Sequence, residues 1–326
     1  MKKVLVLFGP DESLKKKMQD ILPEHAFIYE DYVSVKNISC DELKETEAVI
    51  GNISPEMISC CPDLKWIQLF SAGTDGYTPD IINDITLTNA TGIYGHAIAE
   101  YMTAGVFELF KKMHLYRDSQ KSGQWTDLGQ VRSVRGSVVL VVGLGDIGSQ
   151  FAQRMKALGC RIIGVRRTLR ALPDYADEVV LSEDLDDVLP LADVVALSVP
   201  GNESTRNLLS RERIAKMKKD AVLINVGRGI SVDTQALCDA LRNNELAGAV
   251  LDVTDPEPLP QDHMLWQLEN AVITPHVSGR LRGMPETYEY FTELCLENLS
   301  RYKRKEELLC VVDMQTGYKK SQDSEA

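Results

Sequence analysis

Between Val138 and Val165 the chain passes from an apolar run, VVLVV, through GLGDIG into the amphipathic stretch IGSQFAQRMKAL and on to a second apolar run, RIIGV. A short apolar run, a glycine-rich turn, a segment of helical periodicity and another short apolar run read as strand, turn, helix and parallel strand. The rhythm persists through VVALSVP, AVLINVG, AGAVLDV and AVITPH, which makes six strands in this block. A smaller block precedes it, in which VLVLF (Val4 to Phe8), AFIY (Ala26 to Tyr29), AVIG (Ala48 to Gly51) and WIQLF (Trp66 to Phe70) alternate with polar, helix-like segments. The predicted fold class is α/β, with two Rossmann-like or flavodoxin-like doubly wound parallel-sheet domains flanking a cleft.

The 326 residues hold roughly two domains' worth of chain, because single cores tend to stop growing beyond about 250 residues. Ile98, Tyr101, Met102, Val106, Leu109, Phe110 and Met113 recur at helical spacing and predict one long helix over Gly95 to Met113, placed to bridge the domains. Tyr288, Phe291, Leu294, Cys295 and Leu299 predict a closing helix that returns to the first domain, and RYKRKEE reads as its solvated end. The expected division is 1–95 completed by 281–313, then 96–280, with 314–326 a polar, frayed tail.

A net charge of -12, from 36 basic and 48 acidic residues, argues against general binding to nucleic acid or to an anionic membrane, since both need a positive field. The start, MKKVLVLFGPDES, has an apolar run of only about five residues before Gly9, too short for a signal peptide or a span, so a cytoplasmic protein is expected. Cys40, Cys60, Cys61, Cys160, Cys238, Cys295 and Cys310 form no CxxC pair and no Cys/His cluster at zinc spacing, so reduced thiols and no metal are expected.

Gly143, Gly145 and Gly148 give the turn its GxGxxG form. The first permits the tight turn, the second lets backbone approach a pyrophosphate, and the third allows helix to pack closely on strand. The helix that follows then faces the phosphates with its N-terminus. A lone GxGxxG is a weak signal, but one set between a strand and a helix predicts a dinucleotide site. Arg166 stands 18 residues after Gly148, at the end of the next strand, where an acid would bind the adenosine ribose hydroxyls. Arg166 and Arg167 cannot accept those bonds, whereas a guanidinium can bind a 2′-phosphate, which favours NADP(H) with NAD(H) as the alternative.

Three more predicted strands end near a chemically demanding residue: INVGRG brings Arg228, DVTDPEP brings Glu257 and ITPHVSG brings His276. Ligands of open α/β sheets bind outside the carboxyl ends of the strands, so all three can meet beside a nicotinamide. With GLGDIG, NVGRG and its following SVD, LDVTDPEPLP and TPHVSG in that order, and SAGTDGY near Ser71, the sequence resembles the D-isomer-specific 2-hydroxyacid dehydrogenases from Lys3 to about Tyr302. The spacing agrees: 29 residues from Arg228 to Glu257 and 19 from Glu257 to His276.

The resemblance implies a role for each position. His276 would be the general acid that protonates the carbonyl oxygen of a 2-keto acid, and the base in reverse, with Glu257 holding its ring. Arg228 would fork onto the substrate carboxylate, whose other side would meet the backbone amides of Ala72, Gly73 and Thr74. Implied cofactor contacts are Gly143, Leu144, Gly145, Asp146, Ile147 and Gly148 in the turn, Arg166 and Arg167 at the ribose, and Val199 and Pro200 beside adenine or ribose. Thr205 is implied near the phosphates, Asp252 near the nicotinamide carboxamide, and Val226, Gly227, His276 and Gly279 complete the set. SVPGNEST departs from the family's usual hydrophobic-threonine pair after Pro200.

The expected activity is reduction of a small 2-keto acid to a D-2-hydroxy acid, and the reverse, by hydride transfer from NADPH in preference to NADH. The resemblance also implies a homodimer, and hinges near Gly92 to His96 and Ser278 to Arg280. Tyr77, Tyr94, Tyr101, Met102, Trp266 and Met284 are candidates for the side-chain pocket, with glyoxylate, hydroxypyruvate, branched and aromatic keto acids all open. Formate dehydrogenases share the architecture but place glutamine where this chain has Glu257. A dinucleotide-sensing corepressor on the same fold is the alternative from another class, and turnover separates it from an enzyme.

Overall fold

The computed structural model describes residues 1–30, 38–168 and 170–314, together with the backbone of 318–319. The chain divides into two compact units, Met1–Tyr94 with Leu281–Ala326, and Gly95–Arg280.

In the first unit β1 (Lys3–Val6), β2 (Ala26–Tyr29), β3 (Thr46–Ile50), β4 (Trp66–Gln68) and β5 (Thr86–Thr88) form a parallel sheet in the order β2-β1-β3-β4-β5. All of β3 is buried, and Leu5, Val49, Ile67 and Leu87 share one core cluster, as a parallel sheet covered on both faces requires. The helix α1 (Glu12–Ile21) starts at Asp11, whose side chain accepts the Leu14 N–H at 2.8 Å. Three single turns, α2 (Cys40–Leu43), α3 (Pro55–Ile58) and α4 (Pro79–Ile82), link the later strands. The closing helix Pro285–Arg304 buries Phe291, Leu294, Cys295 and Leu299, and Asn298 Nδ2 donates to the buried Gln68 Oε1 at 2.8 Å.

Two expectations change here. The sequence reading has no strand at Thr86–Thr88, a three-residue element whose Thr88 Oγ1 accepts the Trp66 Nε1–H at 2.9 Å. The thiols are not all reduced: Cys40 and Cys60 form a disulfide, because the fold brings the start of α2 and the turn after α3 together with the Cα atoms 4.9 Å apart, which sequence spacing does not disclose. Cys61, Cys160, Cys238 and Cys295 are free thiols, and these four and Cys310 are all buried. Beyond Met314 the expected tail lies outside the described residues, apart from Tyr318–Lys319, which pairs antiparallel with Val312–Asp313.

The second unit holds seven parallel strands: β6 (Val138–Val142), β7 (Arg161–Arg166), β8 (Glu178–Leu181), β9 (Val194–Leu197), β10 (Val222–Asn225), β11 (Gly248–Leu251) and β12 (Ala271–Ile273). Their order is β12-β11-β10-β9-β6-β7-β8, so β7 leaves β6 on one side and β9 on the other. That reversal makes the carboxyl end of β6 the topological switch point, where such sheets take ligands. β8 was not among the six expected strands; it is a half-buried edge strand of four residues.

The single long helix expected over Gly95 to Met113 is two helices, α5 (Gly95–Phe110) and α6 (Met113–Lys121). Lys112 between them takes φ +55, a left-handed conformation that ends α5, while the apolar spacing runs on through the break and conceals it. α7 (Asp146–Ala157), α8 (Leu185–Val188), α9 (Arg211–Lys216) and α10 (Thr234–Arg242) complete the described α-helices of the unit. Among the described residues no helix is long and apolar enough to cross a membrane.

Candidate active site

The three glycines at the switch point differ in their surroundings. Gly143 takes φ +97, and a β-carbon there would stand 2.9 Å from the Ser198 carbonyl oxygen. Gly148 lies inside α7, where a β-carbon would collide with the Gly143 carbonyl and stand 2.8 Å from Ser198 Oγ. Gly145, the N-cap of α7, is unlike both: a β-carbon there would meet nothing within 4 Å. The protein's own packing therefore demands the first and third glycines, and the second borders open space at the N-terminus of a 12-residue helix. Unpaired N–H groups and the helix dipole favour an anion at such a place, so the turn fits a pyrophosphate. Leu144 lies over Gly164 of β7, and Asp146 packs against Gly95 at the start of α5. Ser198 Oγ donates to the Gly143 carbonyl at 2.8 Å; the sequence reading overlooked it, although its place as the first polar residue after β9 is a readable signal.

β7 ends on Arg166, half-buried, with Nη1 donating to the Ala171 carbonyl at 3.3 Å and its own carbonyl accepting Ser182 Oγ at 3.1 Å. Arg167 follows it, exposed. After β9, Val199 and Pro200 lead into a loop locked by Thr205, whose hydroxyl donates to the Pro200 carbonyl at 2.7 Å and accepts the Asn202 N–H at 3.0 Å. That hydroxyl thus serves its own loop.

β10 delivers Arg228 through Val226 and Gly227. Asn225, the last residue of the strand and almost fully buried, accepts the Gly227 N–H at 3.1 Å and donates to the Arg228 carbonyl at 3.0 Å. β-Carbons at Gly227 and Gly229 would collide with the backbone at Val199 and Thr254, so the arginine is mounted between two close backbone approaches. Its Nη1 donates to the Gly227 carbonyl at 2.7 Å.

The segment after β12 is gripped by Asp252, the residue after β11, which is 1% exposed. One carboxylate oxygen accepts Thr274 Oγ1 at 2.6 Å and the Val277 N–H at 2.8 Å; the other accepts the Ser278 N–H at 3.0 Å and Ser278 Oγ at 2.5 Å. The Asp252 carbonyl also accepts the His276 N–H at 2.8 Å. Between these anchors His276 takes φ +52, a region that costs most side chains about 1–2 kcal/mol and that histidine visits more readily than bulky residues. His276 Nδ1 meets Glu257 Oε1 at 2.7 Å, with both side chains a little under half exposed. An ionised carboxylate only accepts, so this pairing puts a proton on Nδ1 and presents Nε2 outward. The loop carrying Glu257 is tied to the start of α10, where Thr234 Oγ1 donates to the Asp255 carbonyl at 3.0 Å. Arg228, Glu257 and His276 accordingly stand on the loops that follow β10, β11 and β12, three neighbouring strands.

In the first unit the loop after β4 is held through its carbonyls. Those of Ser71, Ala72, Gly73 and Thr74 accept, respectively, from Ala90 N at 3.0 Å, Asn89 Nδ2 at 2.8 Å, Ser71 Oγ at 2.7 Å and Tyr77 N at 3.1 Å. The N–H groups of Ala72, Gly73 and Thr74 donate to no protein acceptor among the described residues. Successive N–H groups with no protein acceptor are suited to take an anion. Asn52 and Asn89, which hold this loop, escaped the sequence reading.

Of the pocket candidates, Met102 is in the core of α5, and Tyr94, 5% exposed, donates to the Phe70 carbonyl. Tyr77 donates to the Ile53 carbonyl at 2.8 Å and Trp266 to the Pro260 carbonyl at 2.8 Å. Tyr101 bonds Thr274, and Met284 caps the closing helix. Among the described residues no group of three or more His, Cys, Asp or Glu is arranged to hold a metal ion.

Two helix-covered parallel sheets, with a phosphate-fitting glycine turn at the switch point of the larger, define a two-domain α/β protein of the dinucleotide-binding class. The family model for the D-isomer specific 2-hydroxyacid dehydrogenase NAD binding domain matches residues 103–278, and the chain belongs to that oxidoreductase family. It is 32% identical to the glyoxylate/hydroxypyruvate reductase B of Erwinia tasmaniensis over 86% of this chain and 90% of that protein. A D-isomer specific 2-hydroxyacid dehydrogenase family protein from Aeromonas salmonicida superposes with TM-score 0.82 at 27% identity, over 96% of this chain and 99% of the other. The D-isomer specific 2-hydroxyacid dehydrogenase of Xanthobacter autotrophicus Py2, solved with NADPH and MES, gives 0.81 at 26% identity, over 97% and 99%.

Proposed function

We propose that this protein reduces a 2-keto acid to the D-2-hydroxy acid, and runs the reverse, with NADPH preferred over NADH. The observation that carries the reading is the 2.7 Å contact of His276 Nδ1 with Glu257 Oε1, which leaves Nε2 to present a proton at the carboxyl edge of the sheet. A nicotinamide held at the glycine turn would supply hydride for the carbonyl carbon. His276 Nε2 gives its proton to the carbonyl oxygen, and Glu257 holds the ring at the angle the transfer needs and stabilises the charged ring it starts from. Arg228 takes the substrate carboxylate, which orients the carbonyl and polarises it, and the amides of Ala72, Gly73 and Thr74 are the anion contacts their own unit offers.

The glycine turn, Val199, Pro200, Thr205, Val226, Gly227, Asp252 and Gly279 make up the proposed dinucleotide contacts, with Arg166 and Arg167 at a 2′-phosphate. The family's relative solved with NADPH supports that choice, as does a β7 that ends in arginine rather than an acid. Arg166→Asp is expected to lower the ratio of kcat/KM with NADPH to that with NADH by at least about tenfold, because one charge-assisted contact is lost and a repulsive charge gained. An unchanged ratio would reject the arginine reading and leave the enzyme. Fully exposed Trp125 and exposed Met113 in the second unit support the homodimer, which light scattering of the purified protein checks.

The activity itself is tested by following NADPH and NADH oxidation with small, branched and aromatic 2-keto acids and assigning the configuration of the product. Turnover to the D-isomer supports the reading. Dinucleotide binding with no turnover of any keto acid would replace it with a sensing role.

A further inference from the structure

We infer that Tyr101 is a positioning residue for His276, acting through Thr274 and Asp252. The inference rests on the proposed role of His276 and adds a residue from a different element, 175 positions away in the chain.

The placement follows from how α5 lies on the sheet. A β-carbon on Gly248, at the start of β11, would stand 3.0 Å from Leu109 Cδ2, and one on Gly105 would stand 3.0 Å from both Val250 methyl groups. Four residues of helix rise about 6 Å and two residues of strand about 6.6 Å, so Leu109, Gly105 and Tyr101 step along the helix as Gly248, Val250 and Asp252 step along the strand. The helix therefore runs antiparallel to β11 and reaches the carboxyl edge of the sheet at Tyr101. Glycine at position 105 suits the close approach, since a β-carbon there would crowd the Val250 methyl groups.

At the edge, Tyr101 Oη lies 2.7 Å from Thr274 Oγ1, which lies 2.6 Å from Asp252 Oδ1. A carboxylate only accepts, so the threonine proton goes to Asp252 and the tyrosine must donate to the threonine. Burial pushes the Tyr101 phenol up to about 12, which keeps it a neutral donor at any working pH. The chain of donors is thereby fixed in one direction: tyrosine to threonine to aspartate. Asp252 is already filled by the Thr274, Val277 and Ser278 donors, and the same segment carries His276 at φ +52. Tyr101 thus anchors the aspartate's grip to a helix rather than to another loop. Without its hydroxyl, Thr274 loses one of the two hydrogen bonds that fix its rotamer, and the segment gains freedom where the imidazole must be aimed.

Tyr101→Phe removes one oxygen and leaves the packing. In the whole protein we expect kcat to fall about tenfold, with KM for the keto acid and the Kd of NADPH within about twofold of the starting values, because aim is lost and binding is not. Thr274→Val, which also takes a donor from Asp252, should lose at least as much, Thr274→Ser should restore most of the rate, and the double variant Tyr101→Phe/Thr274→Val should be no worse than Thr274→Val alone, as expected when the tyrosine acts only through the threonine. The ring resonances of His276, assigned by their loss in His276→Gln, should shift in Tyr101→Phe. Wild-type kcat in Tyr101→Phe, or losses that multiply in full in the double variant, would overturn the inference. If the parent protein turns over no keto acid, the proposed function fails separately; shifted ring resonances in Tyr101→Phe would then still support the positioning role, and unchanged ones would end it.

Discussion

Alanine in place of His276 is expected to lower kcat for keto acid reduction by about a hundredfold to ten-thousandfold, the range a positioned proton donor contributes. In the proposed reaction, hydride arriving at a carbonyl carbon leaves charge on the oxygen, and Nε2, the ring nitrogen not engaged by Glu257, would be the donor that neutralises it. Cofactor affinity should hardly change, since the segment carrying His276 is fixed by backbone and side-chain bonds from its neighbours to Asp252. Alanine, however, is less at ease than histidine at φ +52, and a distorted segment would also slow the reaction. His276→Asn separates the causes, because asparagine accepts the left-handed conformation but cannot supply the proton. An equal loss in both variants, measured in single turnovers with saturating NADPH, identifies proton transfer as the missing step. Near-normal rates in the asparagine variant would remove His276 from the chemistry. Glu257→Gln should fall between, as the amide still bonds the ring but gives no charge to support an imidazolium.

How far this site was readable follows from the range of each interaction. Strand ends announce themselves, because an apolar run buried on both faces stops where the chain turns out; VVLVV before GLGDIG and VLIN before VGRG are cases in which the run itself marks the edge. Arg228 and His276 could be placed on that edge, and the Glu257 partner followed from resemblance. Thr86–Thr88 and Glu178–Leu181 were missed because three or four residues offer too little periodicity to stand out. Lys112 hid the break between α5 and α6 for the opposite reason, since the apolar spacing of Leu109, Phe110 and Met113 continues across it. The grip of Asp252 on Thr274 and Ser278 spans 22 and 26 residues, and Tyr101 reaches Thr274 across 173. Such pairs depend on which strands become neighbours and on the height at which a helix crosses them, neither of which has a local signature. From sequence Tyr101 could be offered only as one of several pocket candidates, and its bond to Thr274 at the edge of the sheet could not be read.

The glycine turn supports the second large effect, and a pair of variants makes it decisive. Gly148→Ala should both destabilise the second unit and abolish measurable dinucleotide binding. Its β-carbon collides with the Gly143 carbonyl and crowds Ser198 Oγ, so the obstacle is chiefly backbone and cannot rotate away. Overpacking of this kind typically costs about 1–3 kcal/mol, and the rigid carbonyl puts this case at the upper end. Relief requires α7 to move off β6, which withdraws the helix N-terminus from the place where phosphates bind. Gly145→Val tests the other half of the argument. Position 145 borders open space, so the melting temperature should hold, while the Kd for NADPH and NADH should rise by at least about tenfold, because side-chain atoms then occupy the room through which backbone approaches a pyrophosphate. Thermal melting and cofactor fluorescence titration on the two proteins give four readings, and only one pattern fits: both properties lost at 148, binding alone lost at 145. Intact binding in Gly145→Val would mean that the space beside the second glycine is not where the phosphates lie, whatever the stability of the other variant.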